Sequence, residues 1–68
     1  GGDMMKIIIY FVGGQSLEFS ECDKEGVEKI DKWLANDEEN IFKINSVNIG
    51  RETLIRKDLI LYIHISDS

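Results

Sequence analysis

Residues 59–65 read LILYIHI, and both alternation phases of that stretch are apolar or aromatic. A strand of this kind needs cover on each of its faces. The chain around it is only 68 residues long, and domains of that size bury roughly 60% of the surface their unfolded chain exposes. Stability of about 3 to 10 kcal/mol is the corresponding range. What covers the two faces of this strand is therefore the first question the chain poses.

A second double-sided strand lies at the other end. Residues 6–12, KIIIYFV, place Ile7, Ile9 and Phe11 on one face and Ile8, Tyr10 and Val12 on the other. Gly13-Gly14 separates them from residues 15–20, where Leu17 and Phe19 alternate with polar residues. The pair predicts a β-hairpin with a two-residue type I′ turn, since both of its central positions need positive φ. A phosphate-cradling loop is excluded here, because neither GxGxxG nor GxxxxGK[ST] is present and a strand follows.

Residues 23–36, DKEGVEKIDKWLAN, carry the one helical pattern. Val27, Ile30 and Leu34 form an apolar stripe with Trp33 at its flank. Early acids suit the positive end of the helix dipole, and Glu25 with Lys29 and Glu28 with Lys32 are i,i+4 pairs in the favourable order. Strands are predicted over 41–47, 53–56 and 59–65, with a turn near 49–51 and a kink at Lys57-Asp58. The order is β-β-α-β-β-β, an α+β fold with one antiparallel-rich sheet and one helix across it, forming a single domain over 3–68. Gly1-Gly2 reads as a tag remnant, with Met4 or Met5 the natural start.

One helix covers one sheet face. The aliphatic row Leu59, Leu61, Ile63 and Ile65 is expected beneath it, beside Val27, Ile30, Trp33 and Leu34. Ile60, Tyr62 and His64 then point the other way, together with Ile8, Tyr10 and Val12 if the first and last strands are neighbours. An apolar and aromatic patch of that kind marks a protein interface. The competing reading has the sheet curl, or the third and fourth strands fold over, so that the second face is partly self-covered.

Charge is uneven: residues 1–40 carry ten acids against four lysines, net −6, and residues 41–68 carry +1. An acidic chain is repelled by phosphate backbones, which disfavours direct nucleic-acid binding. Glu25, Glu28, Asp31, Asp37, Glu38 and Glu39 make an acidic surface that a nucleic-acid mimic would use, although interleaved lysines neutralise it. Lys43, Arg51, Arg56 and Lys57 are candidate contacts for a small anion or nucleotide. Cys22 is the lone cysteine and His64 the lone histidine, so neither a disulfide nor a metal site is expected, and no cofactor is implied. No Ser/His/Asp set or placed carboxylate pair suggests catalysis. No apolar run is long enough to cross a membrane, and a cytoplasmic location is expected.

Taken together, KIIIYFVGGQSLEF, the acidic-start helix ending KWLAND, and TLIRKDLILYIHI resemble the short uncharacterised proteins carried by phages and mobile elements of low-GC Gram-positive bacteria. The resemblance implies a small acidic protein without enzymatic activity that binds, and often inhibits, a host protein or defence system. It carries over no site residues. A homodimer is the other partner expected, and a nucleotide or small-anion sponge is the alternative function.

Overall fold

The isoleucine-rich run near the start of the chain becomes β1 (Met5–Phe11), and the rest is arranged around it. The computed structural model describes residues 4–46 and 50–67. In it β1 is followed by β2 (Ser16–Cys22), α1 (Lys24–Ala35), β3 (Ile41–Ser46), β4 (Arg51–Arg56), a one-turn 3-10 helix (Lys57–Leu59) and β5 (Ile60–Asp67). The α+β class and the element order are those the sequence predicts. Instead of one sheet, however, the strands form two antiparallel ones, β2-β1-β5 and β3-β4. Val47, expected at the end of the third strand, lies outside the described residues.

β1 and β2 make the predicted hairpin with a wider turn. Gly13 and Gly14 take φ of 98° and 89°, which only glycine adopts without cost. Val12 joins them, because the Phe11 N–H donates to the Gln15 carbonyl (2.8 Å) and the Gly14 N–H to the Phe11 carbonyl (3.2 Å). The loop thus holds three residues.

β5 lies against β1, which meets the condition set for a shared second face, with Ile7 opposite Ile65, Ile9 opposite Ile63 and Tyr10 opposite Tyr62. The register then shifts, so that Phe11 faces Ile60 and Leu61 is the extra residue of a bulge. A one-residue slip moves side chains to the other face. Ile60 consequently packs towards the core beside Ile63, while Leu61 is 61% exposed. Of the row predicted beneath the helix only Ile63 packs into the core; Ile65 points to the same side, opposite Ile7, but is exposed, as is Leu59.

Ile7 and Ile9 are fully buried against Ile30 and Trp33 of α1 and Ile55 of β4. The β3-β4 hairpin therefore shares the helix's side of the larger sheet and does not fold over the second face. Phe42 and Ile44 of β3 add to the same cluster.

α1 begins where the Asp23 carboxylate accepts a hydrogen bond from the Gly26 N–H at 2.8 Å, an N-cap. Its last turn closes with the Asn36 N–H donating to the Trp33 carbonyl (3.1 Å). The buried stripe runs through Ile30 and Trp33, and Leu34 lies at its exposed rim. The sequence reading had the two reversed: spacings of three from Val27 reach Trp33, not Leu34.

Trp33 packs on Phe42 with ring centroids 5.1 Å apart. The Lys57 ammonium also stands over the ring, 5.1 Å from its centroid, and donates to the Asn36 carbonyl. One cation thus serves an aromatic face and the negative end of the helix. Asn40 and Asp58 complete the corner: the Asn40 amide donates to the Asp58 carboxylate (3.2 Å), and the Asp58 N–H donates back to Asn40 Oδ1 (3.1 Å).

Because Trp33 touches helix, hairpin and turn, Trp33→Ala should lower the unfolding free energy by about 3 to 5 kcal/mol. Leu34→Ala should cost less than about 1 kcal/mol. Urea unfolding followed by circular dichroism measures both, and similar losses for the two would contradict the observed helix orientation.

Candidate functional site

Period-2 geometry sends Lys6, Ile8 and Tyr10 of β1 to the face opposite Ile7 and Ile9. On β5, His64 stands opposite Ile8 and Tyr62 opposite Tyr10. On β2, Glu18 stands opposite Ile8 and Ser16 opposite Tyr10. The face therefore carries two rows across the strands, Glu18-Ile8-His64 and Ser16-Tyr10-Tyr62.

The rings in these rows touch one another. Tyr10 and Tyr62 stack with centroids 4.6 Å apart and 25° between planes. His64 meets Tyr10 edge-on at 5.4 Å and Tyr62 at 5.2 Å. Cross-strand aromatic contacts of this kind hold each ring in one orientation at modest entropic cost. Tyr62 is 51% exposed and His64 is exposed, whereas Ile8 and Tyr10 are half-buried between their neighbours. Helix and hairpin both lie on the far side of the sheet.

Four of the six residues read from the sequence as interface are thus brought together: Ile8, Tyr10, Tyr62 and His64. Ile60 is not among them, because the bulge at Leu61 turns it to the core side. Val12 is not either, having left β1 for the turn, where its N–H donates to the Leu59 carbonyl (2.9 Å). There, with Leu54 and Leu59, it borders a groove of about 290 Å³. Glu18 and Ser16 are the additions to the face. Alternation in the sequence marks them as polar, but only the strand register sets them beside Ile8 and Tyr10.

The charged residues are dispersed. Glu25, Glu28 and Asp31 line the exposed side of α1, with Glu25 paired to Lys29 at 3.8 Å. Asp37, Glu38 and Glu39 are exposed at the corner beyond it, where the Glu38 N–H donates to Asn36 Oδ1 (3.0 Å). Of the candidate anion contacts, Lys43 pairs with Glu52 (3.6 Å) and Arg56 with Asp58 (3.0 Å). Lys57 is engaged by Asn36 and Trp33, and Arg51 lies opposite Ser46 at the far end of the hairpin. These four cations do not converge on one cup.

A groove of about 560 Å³ runs between β2, α1 and β3, with Phe19, Ile30 and Phe42 in its floor and Glu21, Lys29 and Lys43 at its rim. Cys22 sits in its wall. Burial, and after it the neighbouring Asp23 carboxylate, push the Cys22 thiol above its ordinary value. Gly26 is required beside it, since a Cβ there would lie 2.8 Å from Cys22 Sγ. Among the described residues no group of three His, Cys, Asp or Glu side chains is placed to hold a metal ion, and no helix is long and apolar enough to cross a membrane.

Compared with known proteins, the chain matches no family, no curated protein and no solved structure.

A thiol shifted upward is mostly protonated at neutral pH, and the thiolate is the nucleophile. Iodoacetamide should therefore alkylate Cys22 more slowly than a free small-molecule thiol at pH 7.5, with a rate that keeps rising above pH 9. A rate equal to or above that of the free thiol would contradict the assigned surroundings.

Proposed function

We propose that this chain is a non-enzymatic protein-interaction module whose working surface is the open face of the three-stranded sheet. The Tyr10-Tyr62-His64 ring cluster carries the reading. Three mutually packed rings, one of them half exposed, flank Ile8 on a face that the helix and hairpin leave uncovered. Tyrosine combines apolar area with a hydrogen-bonding hydroxyl and is enriched at recognition surfaces. Pre-packed rings also lose little rotamer freedom on binding, so more of the contact energy is retained.

Inhibition of a host protein by simple occupancy, as a phage-type protein would perform it, is the most concrete form of this function. A binder of this size blocks a partner by covering it, with no chemical step. The sponge alternative loses ground, because three of the four cations it would need, Lys43, Arg56 and Lys57, are engaged by Glu52, Asp58, Asn36 and Trp33, and the four are spread around the molecule.

The test is affinity capture with tagged protein in the cells that express it. Wild-type chain should retain a bound protein through washing, and the Tyr10→Ser/Tyr62→Ser variant should return without it. A Glu28→Lys/Asp31→Lys variant, altered on the outer side of α1, should behave as wild type. Equal capture by the tyrosine variant, with its fold verified by circular dichroism, would refute the assignment of this face.

A further inference from the structure

We infer that, until a host protein displaces it, the occupant of the open sheet face is a second copy of the same chain, related by a two-fold axis running parallel to β1 midway between two facing sheets. This rests on reading that face as the interface, and it is carried by the strand register.

Written from β2 through β1 to β5, the two rows are Glu18-Ile8-His64 and Ser16-Tyr10-Tyr62. A two-fold axis along the central strand exchanges left and right but keeps position along the strand. Ile8 then faces its own symmetry mate, and Tyr10 does likewise. At the two sides Glu18 faces the partner's His64, and His64 faces the partner's Glu18. A carboxylate accepts hydrogen bonds, and an imidazole can donate one in either protonation state, so both contacts are matched. In the second row Ser16 faces the partner's Tyr62, hydroxyl to hydroxyl. Each row is apolar or aromatic at its centre and complementary at its ends, which is the self-complementarity an isologous contact demands. An axis across the strands would set Glu18 over Ser16 and His64 over Tyr62, and the acid-imidazole match would be lost.

Lys6, two residues before Ile8 on β1 and opposite Ser66, meets its own symmetry mate under this axis, a like-charge contact at the end of the face that opposes association. Aligned sheets pack about 10 Å apart and about 30° askew, which carries the strand ends away from one another. Three strands at about 4.8 Å spacing and seven residues at about 3.3 Å rise give a face of roughly 14 by 23 Å. That is well under the roughly 800 Å² per partner of a standard interface. The net charge of −5 on each chain also opposes association. The dimer is accordingly a dissociable one.

Sedimentation velocity from about 1 μM to about 1 mM, the range in which dimers of moderate affinity dissociate, tests this. Wild-type chain should pass from monomer to dimer across it. Glu18→Lys sets an ammonium against the partner's His64 twice, and His64→Glu sets two carboxylates together twice. Each variant alone should dimerise at least about tenfold more weakly, a loss of roughly 1.4 kcal/mol or more. Mixed in equal amounts, the two should form a heterodimer of near wild-type strength. On one side of that heterodimer the introduced ammonium meets the introduced carboxylate, and on the other the unaltered His64 meets the unaltered Glu18. Glu28→Lys, with the same change of charge on the outer side of α1, should leave dimerisation unchanged.

A wild-type chain that stays monomeric throughout overturns the inference, as does a mixture no stronger than its components. If capture still depends on Tyr10 and Tyr62 in a monomeric chain, the face stands as an interface and only its occupant is wrong. A dimer indifferent to both substitutions and to Tyr10→Ser/Tyr62→Ser places the contact elsewhere and overturns the face as well.

Discussion

Trp33 is where the separate parts of this small molecule are joined. Its indole lies under α1 against Ile7 and Ile9 of the larger sheet, meets Phe42 of the hairpin, and receives Lys57 from the 3-10 turn. Each of those contacts is ordinary alone. Their coincidence on one side chain lets a two-stranded hairpin, marginal by itself in water, dock beside a helix and bury Ile55. Helix and hairpin are then both committed to one side of β2-β1-β5, and among the described residues no other element packs on the opposite side. The exposed rings are thus a consequence of how the core is assembled.

That the indole N–H of Trp33 is buried without a hydrogen-bond partner fits the same picture. Such a group carries a desolvation cost of about 1 to 3 kcal/mol. The large area the ring buries and its cation contact offset that cost.

The sequence made much of this architecture legible, for identifiable reasons. Helix limits followed from Asp23 and Asn36, which are the observed caps, whereas the pairing of the first and last strands stood in the sequence only as a condition that the structure meets. What stayed hidden depends on events between segments. The bulge at Leu61 is invisible in LILYIHI, since any phase of that run looks equally apolar, and it alone moved Ile60 off the predicted face and Leu61 out of the core. Similarly, the split into two sheets depends on Phe42 finding Trp33, a contact no local pattern announces. Glu18 was read correctly as polar, yet its place beside Ile8 is a property of register. Lys43, Arg51, Arg56 and Lys57 stand in the sequence as candidate anion contacts, with alternation already setting Arg56 and Lys57 on different sides; the acceptors that engage three of them, Glu52, Asp58 and Asn36, are not evident from spacing.

Among the described strands only β1 has a neighbour on both sides; β2, β3, β4 and β5 each present a row of unpaired backbone groups to the surroundings. Exposed ladders of this sort are templates on which other chains accrete into fibres. Irregularity guards the larger sheet: the pairing of β2 slips between Met5 and Ile7 and that of β5 between Tyr10 and Phe11, so neither border is a straight docking rail. Charge at Glu18, Glu21 and Asp67 adds repulsion and hydration along the same borders. The flaw in β5 that redirects Ile60 therefore has a second use, in keeping so strand-rich a chain a discrete particle instead of the seed of a filament.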